Sequence, residues 1–155
     1  MNHWLMKTEP STFSIDDLAK APKRTTCWDG VRNYQVRNML RDQFRIGDLA
    51  FMYHSSCELP GIVGVMKVTS TGYPDPTAVD PAHANFDPAA TAAEPRWYMV
   101  DVRLEQRFSR VISLDELRTH AQGKLRDLQI LKRGNRLSIT PVSAQDWRFI
   151  IALAA

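Results

Sequence analysis

The run Ile62–Val68 is apolar on both faces apart from Lys67. That pattern predicts a strand buried at the centre of a sheet, with Gly64 permitting close approach of a neighbouring backbone. Other strands read from alternation. Trp4–Lys7 forms a short first strand. Leu49, Phe51 and Tyr53 alternate with Ala50, Met52 and His54, and Tyr98, Val100, Val102 and Leu104 alternate with Met99, Asp101 and Arg103. Leu137–Val142 is a short strand broken by Pro141. Helices announce themselves by caps: Ser14 before Ile15-Asp16-Asp17, Ser113 before Leu114–His120, and Ser143 before a last helix with Trp147, Ile150, Ile151 and Ala154 on one stripe. Tyr34–Phe44 carries Val36, Met39, Leu40 and Phe44 at helical spacing. Strands dominate the middle and do not alternate with helices as βαβ units. The expected class is α+β, with a small barrel or strongly bent sheet rather than a doubly wound fold.

The chain has 155 residues, and residues 1–155 read as one domain. Five prolines between Gly72 and Pro95 mark a long, proline-braced loop; a domain linker there would leave two marginal cores of about 70 and about 60 residues. No apolar run approaches the roughly 20 residues that span a bilayer, and the N-terminus lacks a secretory pattern. Two cysteines, Cys27 and Cys57, are too few for a disulfide scaffold or a cysteine-rich zinc site and suit a reducing cytoplasm. The four histidines lack metal-ligand spacing, so no metal or other cofactor is expected.

Charge gives the first positive indication. The formal net charge is +3, and arginine outnumbers lysine 14 to 6. A planar guanidinium suits phosphate and base edges better than an ammonium does. Residues 101–155 carry ten basic groups against six acidic, whereas 71–100 carry one against four. A polyanionic partner is plausible.

Two tryptophans stand out. Trp28 lies in a turn-like stretch beside Asp29-Gly30, just ahead of a helix for which Asn33 is the N-cap. An asparagine amide both donates and accepts, so Asn33 can read a heterocycle edge; equally, Trp28 plugs the core and Asn33 only caps. Trp97 falls by alternation off the main apolar face, where it meets a ligand or covers a second small core. Arg37, Arg41 and Arg45 recur every four residues, either as a phosphate-binding face or as a solvated one relieved by Asp42 and Asp48. His54 with Cys57 or Cys27 would make a nucleophile pair, but no Gly-x-Ser-x-Gly elbow or phosphate-binding glycine loop accompanies them, and no enzyme is expected.

These residues together resemble the EVE domain. Trp4-Leu5-Met6-Lys7-Thr8-Glu9-Pro10 is similar to its opening, and Trp28-Asp29-Gly30-Val31-Arg32-Asn33-Tyr34 with Arg37-Asn38 to its most distinctive motif. Phe51-Met52-Tyr53-His54-Ser55, Pro60-Gly61-Ile62-Val63-Gly64, Pro95-Arg96-Trp97, Ile112-Ser113-Leu114, Arg136-Leu137-Ser138-Ile139 and Pro141-Val142 follow in order. The resemblance spans nearly the whole chain. It implies a PUA-like small β-barrel of about five or six strands decorated by helices, related to YTH and ASCH domains. It also implies a non-catalytic reader of a modified base flipped out of DNA or RNA into an aromatic pocket.

By that resemblance Lys7, Thr8, Trp28, Asn33, Ser55 and Trp97 are expected to form the base pocket, with Tyr34 and Asn38 in support. Trp28 and Trp97 would wall the base. Arg37, Arg41, Arg45, Lys132, Arg133 and Arg136 would contact phosphates. Where relatives often carry lysine and serine after an aspartate-proline, this chain has Asp87-Pro88-Ala89-Ala90, which removes a cation and a hydroxyl from that loop. The alternative function is a sensor of a free nucleoside-like heterocycle, and a less favoured one is a cysteine-dependent hydrolase.

Overall fold

The computed structural model describes residues 1–155. Its elements follow in the order β1 (His3–Thr8), α1 (Ile15–Lys20), β2 (Thr25–Cys27), α2 (Tyr34–Asp42), β3 (Leu49–His54), β4 (Gly61–Val68), β5 (Tyr73–Pro74), β6 (Tyr98–Met99), β7 (Asp101–Ser113), α3 (Leu114–Arg118), β8 (Ile139–Val142) and α4 (Ala144–Ala154). Six strands form one curled mixed sheet, ordered β2-β7-β4-β3-β1-β8; β5 and β6 pair as a separate short ribbon. Only β1 and β3 run parallel within the sheet. The fold is α+β, as expected from the sequence. No helix is long and apolar enough to cross a membrane.

The two-residue period of the strands divides the core into two. Trp4 and Met6, Ala50 and Met52, Met66 and Val68, and Val102 and Leu104 face one side, where Ile15, Leu18, Val36 and Leu40 cover them. Leu5, Phe51, Ile62, Val65 and Ile112 face the other, where Leu117, Trp147 and Ile150 pack. The central strand β4 is buried on both sides because both layers press on it. Burying a side chain of Leu or Phe size stabilises by roughly 1.5–3 kcal/mol. Trp4 stacks on Phe44 at 4.3 Å and donates its indole N–H to Asp48 Oδ2 at 3.0 Å. Phe51 stacks on Trp147 at 3.8 Å.

Gly64 sits where a Cβ would lie 2.5 Å from the Gln106 carbonyl oxygen and 2.7 Å from Ile15 Cδ1, so only glycine lets β7 and α1 close on β4 here. Register shifts on both sides of Gly64 bend the strand.

Two expectations need correction. The strand read as ending near Leu104 runs on to Ser113; the outward charges Glu105, Arg107 and Arg110 mask its alternation. The three arginines do not share a helix face. α2 ends at Asp42, the Phe44 N–H turns back to Met39 O at 3.0 Å, and Phe44 drops into the core. Arg45 therefore belongs to the next turn, which Asp48 closes by accepting the Arg45 N–H at 3.0 Å.

Candidate functional site

β1 and β2 end beside one another around a cleft of about 380 Å³. It is lined by Lys7 and Thr8 from β1, Thr12 and Phe13 from the turn before α1, and Thr26, Cys27, Trp28 and Asp29 from β2 and the residues after it. Small-molecule sites occupy roughly 300–1,000 Å³, so one planar heterocycle fits the space.

Backbone bonds fix each wall. The Lys7 N–H donates to Ser138 O at 2.8 Å, which ties the cleft end of β1 to the basic segment leading into β8. The Thr8 hydroxyl donates to Phe13 O at 2.8 Å, shaping the turn, and Thr8 O accepts the Ser55 N–H at 2.9 Å. The Trp28 N–H donates to Val100 O at 2.8 Å. Gly30, at φ 78°, then turns the chain away, in a conformation that favours glycine. Trp28 is 8 % exposed, so most of its indole belongs to the core and only a patch of it faces the cleft.

The cleft holds one cation and one carboxylate, which make no ion pair with each other or with any other group. Burial pulls the Lys7 ammonium below its ordinary pKa. Burial, reinforced by the charge of Asp75, raises the Asp29 carboxyl. Burial and then the Asp29 charge raise the Cys27 thiol, which keeps it protonated and a poor nucleophile. His54 Nε2 accepts the Ile15 N–H at 3.1 Å, so that nitrogen is occupied and offers no base to a thiol. Both cysteines are free. No three His, Cys, Asp or Glu side chains come together where a metal could be held.

The remaining expected pocket residues do not line this cleft. Trp97 packs with Ala78 and Ala90 in a second small core, and its indole N–H donates to Asp87 Oδ2 at 2.7 Å. The two-indole sandwich is therefore absent. The Asp87-Pro88-Ala89-Ala90 loop is the partner of Trp97, with Ala90 small enough to be buried against it. Asn33 caps α2, its Oδ1 accepting the Val36 N–H at 3.0 Å. Ser55 reaches only Thr8 O, its hydroxyl donating at 3.5 Å.

Tyr34 stacks on Trp97 at 4.7 Å, and the Arg37 guanidinium lies 4.8 Å from the Tyr34 ring centroid. Asn38 lines a different cavity, with Gln129 and Leu137, and its Oδ1 accepts from Arg37 Nε at 2.8 Å. Arg41 is paired with exposed Asp42 at 2.8 Å. Lys132, Arg133 and Arg136 are exposed on the segment before Ser138.

Thr12, Phe13 and Thr26 were not legible as site residues, and Asp29 appeared only as a letter of a motif. β2 has three residues, too few to show a period, and only its pairing with β7 brings it beside β1's end of the fold.

The comparisons bear on this geometry. A family model described as EVE domain matches residues 2–153. Thymocyte nuclear protein 1 of Mus musculus is 42% identical over 98% of this chain and 73% of its own length. A crystal structure of human THYN1 protein in complex with 5-methylcytosine containing DNA has a TM-score of 0.94 and 41% identity, covering 99% of this chain and 98% of that one. A Pseudomonas syringae protein of known structure is 44% identical with a TM-score of 0.92, covering 99% of both chains.

Proposed function

This chain belongs to the EVE domain family, and on that premise we propose that it is a non-catalytic module that binds DNA or RNA and reads a modified base flipped into the cleft of Lys7, Thr8, Trp28 and Asp29. The cleft carries this reading, because an indole patch, an unpaired ammonium and an unpaired carboxylate surround a space of heterocycle size. The complex of the human relative with 5-methylcytosine containing DNA supports the same class of ligand. One sheet joins His3 to Val142, which supports reading 1–155 as a single domain. The two free thiols support a reducing compartment such as the cytoplasm.

Flipping a base costs a few kcal/mol, and stacking on one aromatic face returns about 1–3 kcal/mol. With Trp97 packed elsewhere, Trp28 alone roughly balances that cost. Net affinity must come from polar contacts to the base edge and from the backbone. Lys132, Arg133 and Arg136 are exposed and unpaired by carboxylates, and their segment leads to the residue bonded to Lys7. They are the strongest phosphate candidates; Arg37 and Arg45 follow, and Arg41 is weakest because Asp42 holds it. Ser55 supports the cleft from outside it through its bonds to Thr8 O, whereas Asn33, Tyr34 and Asn38 serve α2 and its packing on Trp97.

Titration of labelled oligonucleotides, with and without 5-methylcytosine, tests the reading. The wild type binds the modified strand more tightly, and Trp28→Ala loses the difference. One methyl is worth about 1–3 kcal/mol, so the preference is moderate. Equal binding by wild type and Trp28→Ala removes the cleft from the account. Affinity for the free nucleoside equal to that for the oligonucleotide would favour a small-molecule sensor instead.

A further inference from the structure

The cleft contains one feature that the choice between modified and plain bases does not use: its carboxylate. Asp29 follows Trp28 directly, lines the same space and forms no salt bridge. Lys7 lines the cleft from β1 and is equally unpaired. An ionised carboxylate only accepts hydrogen bonds, and an ammonium only donates. The cleft therefore offers an acceptor from the residues just after β2 and a donor from β1.

We propose that Asp29 sets the base preference of the cleft by accepting from an exocyclic amino group, so that 5-methylcytosine is taken and thymine is refused. This rests on the base-cleft reading above and adds the group that is read. The two bases share ring size and the 5-methyl group, so neither shape nor the stacking face separates them. They differ at position 4, where cytosine carries an amino donor and thymine an acceptor oxygen. The adjacent ring nitrogen also accepts in cytosine and donates in thymine. With the amino group on Asp29, the cytosine ring nitrogen and O2 are left as acceptors for Lys7. Thymine reverses the pattern at position 4 and at the ring nitrogen, while its O2 still accepts. Its only N–H is flanked by two carbonyl oxygens, so a carboxylate approaching that N–H meets lone pairs on both sides. A site built around a hydrogen bond rejects an analogue lacking it more sharply than a pocket rejects a missing methyl.

Three single-stranded oligonucleotides differing at one central base (5-methylcytosine, thymine or cytosine) test this. Single strands remove the unequal cost of opening G·C and A·T pairs. The wild type is expected to bind the 5-methylcytosine strand at least tenfold more tightly than the thymine strand. Asp29→Asn, whose amide can turn either oxygen or nitrogen to the base, brings the two within about threefold. Asp29→Ser lowers affinity for 5-methylcytosine and raises it for thymine, whose carbonyl lone pairs no longer meet a carboxylate. Neither variant is expected to unfold, because the Asp29 carboxylate is only partly covered, forms no salt bridge and lies near the like charge of Asp75, and thermal midpoints verify this. Equal wild-type binding of 5-methylcytosine and thymine, both weakened by Trp28→Ala, overturns the role of Asp29 and keeps the base cleft. A wild-type gap that survives in Asp29→Asn overturns it as well. Binding untouched by Trp28→Ala overturns the cleft and this inference together.

Discussion

Asp75 Oδ2 accepts the backbone N–H of Gly30 at 2.9 Å, joining the proline-braced loop to the turn that follows Trp28 and Asp29. The same oxygen is 3.5 Å from Arg32 Nη1, and Oδ1 accepts the Thr77 N–H at 2.9 Å and the Thr77 hydroxyl at 2.5 Å. Asp75 is 1 % exposed, so one buried carboxylate holds the shape of the cleft's outer turn. The long loop acts as a brace for the site.

Asp75→Ala should therefore weaken both fold and ligand binding. It leaves the Gly30 and Thr77 donors unsatisfied, and orphaned buried groups cost about 1–3 kcal/mol each. Urea denaturation should show the lower midpoint, and oligonucleotide titration the weaker binding. Asp75→Asn, which keeps one acceptor oxygen, should lie between.

Stability should fall in acid partly through the same residue. Burial alone would raise the Asp75 carboxyl, but the hydrogen bonds from Thr77 and Gly30 and the charge of Arg32 together hold it below its ordinary value. A carboxyl depressed in the folded state contributes stability that is fully present above the unfolded value of about 3.9 and is lost as pH drops through the lower folded one. A denaturation series across that range should show a smaller acid loss in Asp75→Asn than in the wild type.

Trp97 and Trp28 should separate in ligand binding, although truncating either buried indole lowers stability. Trp97→Ala removes a side chain buried with Ala78 and Ala90 and stacked on Tyr34, and truncating a buried tryptophan costs about 3–5 kcal/mol. Trp97→Phe keeps the aromatic packing and should leave oligonucleotide affinity within about twofold. Trp28→Ala should abolish the preference for a modified base. Parallel thermal melts and titrations read both effects.

Neutralising Lys132, Arg133 and Arg136 together with glutamine should flatten the dependence of affinity on salt. Each lost phosphate contact reduces the slope by about 0.7 for a single strand and about 0.9 for a duplex. Arg41→Gln should leave the slope unchanged, because Asp42 already pairs that guanidinium.

Gly64→Ala should destabilise without touching the cleft. The new methyl meets the Gln106 carbonyl at 2.5 Å, and overpacking a tight core costs about 1–3 kcal/mol. A lower urea midpoint with unchanged affinity per folded molecule is the expected outcome.

Local chemistry was legible where one element suffices to express it. Ser14 caps α1 in a reciprocal box with Asp17, Asn33 caps α2, and Ser113 and Ser143 cap α3 and α4, all from short-range hydrogen bonding. The double burial of β4 and the close approach at Gly64 were equally visible, because both follow from side-chain size along one strand. Trp28 stood out by its turn-like setting ahead of a helix, whereas Lys7 and Thr8 were found through the family resemblance rather than through any period.

What the amino-acid order alone determined is the longer elements and the α+β class, since caps, alternation and apolar runs act within a few residues. Tertiary structure decided who shares the cleft. It brought Asp29 and Lys7 to the walls of one cleft by pairing β2 with β7 and β1 with β3, and it sent Trp97 to Asp87 and Ala90 instead. An indole goes where its N–H finds an acceptor and its rings find neighbours, and those partners lie many residues away, beyond the reach of any local pattern.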